Sequence, residues 1–204
     1  MAVEFLFDFG SPNAFLSHRV IPQIGQRIGE RFTYVPVLLG GLFKLTGNQS
    51  PGTAFAHIKN KPQYDQLEMQ RFIARHQVTD FRMNPHFPVN TLQLMRGAVA
   101  AERAGVFSDY VASVFDDMWV RGLKMDDPAV LREALQGGGL PAEEILALSQ
   151  TDAVKGQLMA NTQRAFEKGA FGLPAFLVGD ELYFGKDRLR DVEEETLRQR
   201  TAVA

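Results

Sequence analysis

The chain has 204 residues, with 22 basic against 24 acidic side chains, a net charge of −2 and no cysteine. The missing cysteines exclude structural disulfides, a dithiol redox couple and most structural zinc sites, and the near-balanced charge offers no general attraction to nucleic acid or anionic lipid. With 45% hydrophobic and 23% charged residues, the composition is that of a globular protein, long enough for one large domain or for a domain carrying an insertion.

Val3 to Phe9 is an apolar run that reads as a central strand. It enters a helix through Ser11-Pro12, and helical spacing continues to about Ile28, with Pro22 as the point for a kink. Ser11 suits the N-cap and Pro12 the first helical position. Unpaired backbone N–H groups and the positive end of the helix dipole therefore converge beside the Ser11 hydroxyl, making an anion site suited to a thiolate. Because the chain has no cysteine, a sulfur that reacts there must arrive on a ligand.

A second strand, Phe32 to Leu38, completes a βαβ start and implies a parallel pair. From Gly40 to Tyr64 the turn signals Gly40-Gly41, Gly47-Asn48 and Ser50-Pro51 predict a long, partly irregular loop of the kind that carries function. Helical patterns follow at about 64–77, 89–104, 107–120, 128–136, 142–148 and 151–167. Strand character returns at Ala175 to Val178, turns at Gly179-Asp180 and pairs back through Glu181 to Phe184, before a last helix that starts near Asp187. These elements predict a discontinuous α/β domain, residues 1–38 and 168–204, interrupted at 39–167 by a loop and an all-helical insertion.

None of His18, His57, His76 and His86 has metal-ligand spacing, so no metal is expected. No Gly-x-Ser-x-Gly elbow surrounds Ser11, which argues against a covalent serine nucleophile. Trp119 follows Phe115 and Met118 at helical spacing and reads as core. The pairs Asp116-Asp117 and Asp126-Asp127 read as solvated helix-terminal charges, because adjacent residues diverge on a helix. No basic leader and no stretch of about 18 uncharged apolar residues is present, so a cytoplasmic location without membrane insertion is expected.

Three separated segments, Phe7-Asp8-Phe9-Gly10-Ser11-Pro12, Phe171-Gly172-Leu173-Pro174-Ala175-Phe176 and Phe184-Gly185-Lys186-Asp187-Arg188-Leu189, together resemble the thioredoxin-like family with a helical insertion. That family includes DsbA-type oxidoreductases, kappa-class glutathione transferases and 2-hydroxychromene-2-carboxylate isomerases. Ser11 stands where the oxidoreductases begin a Cys-x-x-Cys motif, which excludes that branch. Asn84-Pro85-His86-Phe87-Pro88-Val89-Asn90-Thr91, with Gly41-Leu42-Phe43-Lys44 and Gly47-Asn48, is most similar to the isomerase branch.

The resemblance implies that Pro174 is cis and faces Ser11. It implies glutathione as cofactor, its cysteinyl part pairing with the Leu173 backbone beside Pro174. Phe184, Gly185, Lys186 and Asp187 would hold the γ-glutamyl end, Asp187 taking the ammonium. Lys61, or less directly Lys59, would meet the glycyl carboxylate, and Asn48 would add an amide. Lys44 and Asn90 would contact an aromatic acid substrate. The implied activity is isomerisation of 2-hydroxychromene-2-carboxylate to trans-o-hydroxybenzylidenepyruvate through reversible thiolate addition, in a homodimer. Two alternatives stand beside it: a kappa-like transferase that conjugates small electrophiles, and a thioredoxin-fold binding protein without catalysis.

Overall fold

In a computed structural model, which describes residues 3–203, four strands form one sheet in the order β2-β1-β3-β4. They are β1 (Val3–Phe7), β2 (Phe32–Pro36), β3 (Ala175–Val178) and β4 (Glu181–Phe184). β1 pairs parallel with β2, placing Phe5 opposite Tyr34, and antiparallel with β3, placing Phe5 opposite Phe176. β3 and β4 make the expected hairpin. Residues 1, 2 and 204 of the two outer segments lie outside the described residues.

Alternation along β1 sends Phe5 and Phe7 to one face of the sheet and Leu6 to the other. The larger core lies on the Phe5 side and continues without a break into the helices. Phe115 is its hub, 5.6 Å from the Phe7 ring and 4.8 Å from the Phe9 ring. The smaller cluster, with Leu6, Val37, Leu42, Leu173 and Leu177, lies on the other face.

The helix α1 (Pro12–Ile28) is capped by Ser11 and closed by Gly29 at φ 68, and it runs through Pro22 as one element. The 40–64 segment differs from the expected irregular loop. It contains α2 (Leu39–Thr46) and α3 (Pro51–Ala54), and α4 (Lys61–His76) begins within it. The glycine and proline signals mark helix ends instead: Gly47 at φ 66 closes α2, and Ser50-Pro51 opens α3. Gly40-Gly41 is helical because tertiary bonds fix its start. The Leu38 N–H donates to Thr162 Oγ1 at 3.0 Å, and the Leu39 N–H donates to the Asp8 carboxylate at 2.8 Å. Tertiary context overrides the cost of two helical glycines.

The remaining helices are α5 (Leu92–Arg103), α6 (Phe107–Trp119), α7 (Pro128–Gly137), α8 (Ala142–Leu148) and α9 (Asp152–Glu167). After β4 a 3-10 turn at Lys186–Arg188 leads into α10 (Leu189–Val203). The last α-helix thus starts slightly later than expected, with Asp187 in the turn before it.

Asp117 corrects the reading of Asp116-Asp117 as solvated charges. Asp116 does pair with Arg19, at 2.9 Å, but Asp117 is fully buried because the C-terminal turn of α6 packs inward with Met118 and Trp119. Arg121 Nη2 lies 2.9 Å from Asp117 Oδ1, yet neither carboxylate oxygen has a partner in hydrogen-bond geometry. Burial pushes the Asp117 carboxyl up to about 6 from the usual 3.8. Between those values the folded chain holds a proton that the unfolded chain has released, so stability falls as pH rises from about 4 to about 6. Asp117→Asn is expected to flatten this decline. Thermal midpoints that fall equally in parent and variant between pH 4 and pH 6.5 would exclude Asp117 as its source.

Candidate active site

The strand-to-helix turn behaves as its residue types dictate. Ser11, 5% exposed, accepts the Ala14 N–H on its side-chain oxygen at 3.2 Å and gives its own N–H to the Asp8 carbonyl at 3.1 Å. Its hydroxyl donates to the Leu173 carbonyl at 3.0 Å, across 162 residues of chain. The Leu173-Pro174 peptide is cis, and so is Phe87-Pro88, which the sequence reading did not single out. One bond thus joins the capped end of α1 to the segment that enters β3.

Leu173 is 7% exposed, and its N–H has no partner among the described residues, while its carbonyl is engaged by Ser11. A nearly buried residue with an unpaired backbone donor is a docking edge for an extended ligand. The Pro174 carbonyl accepts the Gly185 N–H at 2.9 Å, which brings the Gly185-Lys186-Asp187 turn alongside. Gly185 has φ 94 and ψ 154, a conformation open essentially to glycine alone. Gly185→Ala is expected to cost about 1–3 kcal/mol through this strain, although no atom lies within 4 Å of the added Cβ. An unchanged urea midpoint would contradict the strain argument.

Asn48 also reaches the corner: its side-chain amide donates to the Phe171 carbonyl at 2.8 Å. Phe171 and Phe184 pack there with ring centroids 4.5 Å apart and planes inclined at 45°, each 43% exposed. Lys186 is buried, with Nζ 2.6 Å from the exposed Asp187 carboxylate and 4.9 Å from the centre of the Phe72 ring of α4. Asp187 therefore presents one neutralised and one open side.

The same architecture recurs in known proteins. The model of the DSBA-like thioredoxin domain matches residues 2–196. The chain belongs to this DSBA-like family. A 2-hydroxychromene-2-carboxylate isomerase of Sphingobium xenophagum is 24% identical over 195 residues, spanning 96% of this chain and 97% of that protein. Glutathione S-transferase kappa 1 of Homo sapiens is 26% identical over 205 residues, spanning 92% of this chain and 87% of the relative. A solved 2-hydroxychromene-2-carboxylate isomerase structure superposes with a TM-score of 0.82 at 23% identity, covering 100% of both chains.

Within this DSBA-like chain the other expected residues are scattered more widely. Lys61 opens α4, where its Nζ pairs with Asp65 at 2.7 Å and lies over the Phe55 ring at 5.0 Å. Lys44 is exposed in the last turn of α2. Asn90 is exposed, and its side-chain oxygen accepts the Leu92 N–H at 3.1 Å at the start of α5. Lys59 is exposed in the turn before α4. Trp119 is core, as expected, and its indole N–H donates to the Phe9 carbonyl at 2.8 Å.

His18 is packed for structure, its Nδ1 2.9 Å from Tyr34 Oη and its ring 4.9 Å from Phe115. Burial first, then the Arg19 charge, lowers its pKa to about 4, so it stays neutral at pH 7. Asp8 and the buried state of Lys186 were missed by sequence reasoning. For Asp8 the available signal was an acid flanked on both sides by phenylalanine in an apolar run, three residues before an N-cap. Among the described residues no group of three or more His, Asp or Glu is placed to hold a metal ion, and no helix is long and apolar enough to cross a membrane.

Proposed function

We propose that the protein is a glutathione-dependent isomerase of an aromatic-ring-derived acid, with 2-hydroxychromene-2-carboxylate and its open benzylidenepyruvate form as the substrate pair. The observation that carries this reading is the Ser11–Leu173 corner, where a helix N-terminus, a hydroxyl and an unpaired backbone donor converge. These groups fit a peptide thiol, and the chain has no cysteine of its own to place there. The isomerase and kappa transferase relatives support the same choice.

Bound glutathione would supply the sulfur nucleophile for reversible addition to the conjugated acid. Leu173 pairs by backbone with the cysteinyl part, and Gly185, Lys186 and Asp187 hold the γ-glutamyl end, Asp187 accepting from its ammonium. Phe184 walls that end, and Asn48 steadies the segment before Leu173. The Ser11 hydroxyl turns from the Leu173 carbonyl toward the sulfur and, with the N-terminus of α1, favours its ionised form. A free thiol near pKa 8.5 is only a few per cent ionised at pH 7, so a drop of about two units raises the nucleophile more than tenfold. Lys44 and Asn90 face the substrate acid, and Lys61 releases Asp65 to meet the glycyl carboxylate. The proposal places the enzyme in the cytoplasm as a homodimer.

The second reading is a kappa-like transferase, favoured by the human relative, in which the same corner activates a thiol that leaves with the product. Following the ultraviolet spectrum of the chromene acid with trace glutathione separates the two. The isomerase reading requires many turnovers per glutathione. Consumption of glutathione one for one with substrate would replace it by the transferase, and no thiol-dependent reaction would sink both.

A further inference from the structure

The sheet carries one buried acid that the proposed chemistry leaves unused. Asp8 has no exposed surface. One carboxylate oxygen accepts the Gly10 N–H at 2.8 Å, the other accepts the Leu39 N–H at 2.8 Å, and the Thr91 hydroxyl stands beside the same group. Its backbone carbonyl takes the Ser11 N–H. The fit is close, since a Cβ at Gly10 would lie 3.1 Å from Thr91 Cγ2 and 3.3 Å from Asp8 Oδ1.

We propose that Asp8 is a positioning residue for the Ser11 corner: its carboxylate ties the turn before α1 to the start of α2, and its negative charge raises the proton affinity of a sulfur resting on Ser11. This rests on the reading of Ser11 as the residue a thiolate meets. The groups facing Asp8 from its own turn, from α2 and from the segment before α5 are hydrogen-bond donors, and none is a charged side chain. The two backbone N–H groups can only donate, and the Thr91 hydroxyl is the one group among them able to accept from a protonated Asp8, so the site suits the ionised form. Burial raises its pKa, and the bonds from Gly10 and Leu39, with the Thr91 hydroxyl, oppose that rise.

Two sides of the Ser11 corner depend on this one group. Gly10 precedes Ser11 directly, and Leu39 begins the helix that carries Lys44 and leads to Asn48. The charge also balances the helix terminus. A thiol whose pKa falls far below ambient pH is fully ionised but a weaker nucleophile, and the best attacking thiol titrates near the working pH. Asp8 keeps the sulfur from being over-stabilised.

Because the chain lacks cysteine, Ser11→Cys places a single thiol at the corner and needs no glutathione. Thiolate absorbance is titrated in Ser11→Cys and in Ser11→Cys/Asp8→Asn. The introduced thiol is expected to titrate about one unit lower in the double variant, with faster amide exchange at Leu39. An unchanged or higher thiol pKa overturns the electrostatic half, and unchanged Leu39 exchange overturns the positional half. If the double variant does not fold, carboxyl carbon NMR of Asp8 in Ser11→Cys alone decides. Asp8 should be ionised at pH 7 and show a second step at the thiol's pKa; a protonated Asp8, or no second step, overturns the proposal. Failure of glutathione to bind the parent would sink the proposed function instead and leave both readouts intact.

Discussion

Ser11→Ala is expected to raise the pKa of the bound glutathione thiol by about one to two units and to lower kcat by about 3- to 25-fold at pH 7. The magnitude is that of a hydrogen bond to a charged group, about 1.5–3 kcal/mol. Glutathione affinity should change little, because the Leu173 backbone and the Gly185 to Asp187 turn, proposed to hold the peptide, are untouched. The variant also loses the cap bond to the Ala14 N–H, a stability cost of about 1 kcal/mol. Titrating thiolate absorbance in the two complexes separates these effects, and coincident curves would remove Ser11 from the chemistry.

The largest stability loss is expected at Trp119. Its indole is fully buried beside the Phe81 ring, with centroids 6.0 Å apart, and its N–H satisfies the Phe9 carbonyl two residues before Ser11. Trp119→Ala should cost about 3–5 kcal/mol, the range for deleting a large buried aromatic. Trp119→Phe keeps most of the volume but leaves the Phe9 carbonyl unpaired, at about 1–3 kcal/mol. The milder variant should also loosen the Ser11 turn, since the insertion holds that turn through this bond. Urea unfolding gives the stability, and amide exchange at Ser11 reads the turn. A Trp119→Phe midpoint equal to the parent's would show that the bond contributes nothing.

The parts of the site legible in the sequence are those set by local chemistry. Ser11-Pro12 declares a cap because the hydroxyl and the missing proline N–H answer the needs of a helix start, and the β3–β4 hairpin declares itself through its Gly179-Asp180 turn. The resemblance supplied the facing of Ser11 and Leu173-Pro174, which the 3.0 Å bond bears out. What stayed hidden was decided by distant partners. Gly40-Gly41 looks like a turn until Asp8 and Thr162 seize the N–H groups at the start of α2. Asp117 looks solvated until α6 is packed, and Lys186 looks like a surface lysine until the Phe72 ring closes over it. The bond from the Leu92 N–H to the Asn90 side-chain oxygen at the start of α5 was hidden in the same way.

The position of the reacting sulfur decides whether Ser11 takes part in the chemistry. A crystal structure of the protein with glutathione tests it most directly: the sulfur should lie within hydrogen-bond reach of Ser11 Oγ, with the cysteinyl backbone paired to Leu173. Glutathione bound with its sulfur away from Ser11, or bound elsewhere on the protein, would contradict it.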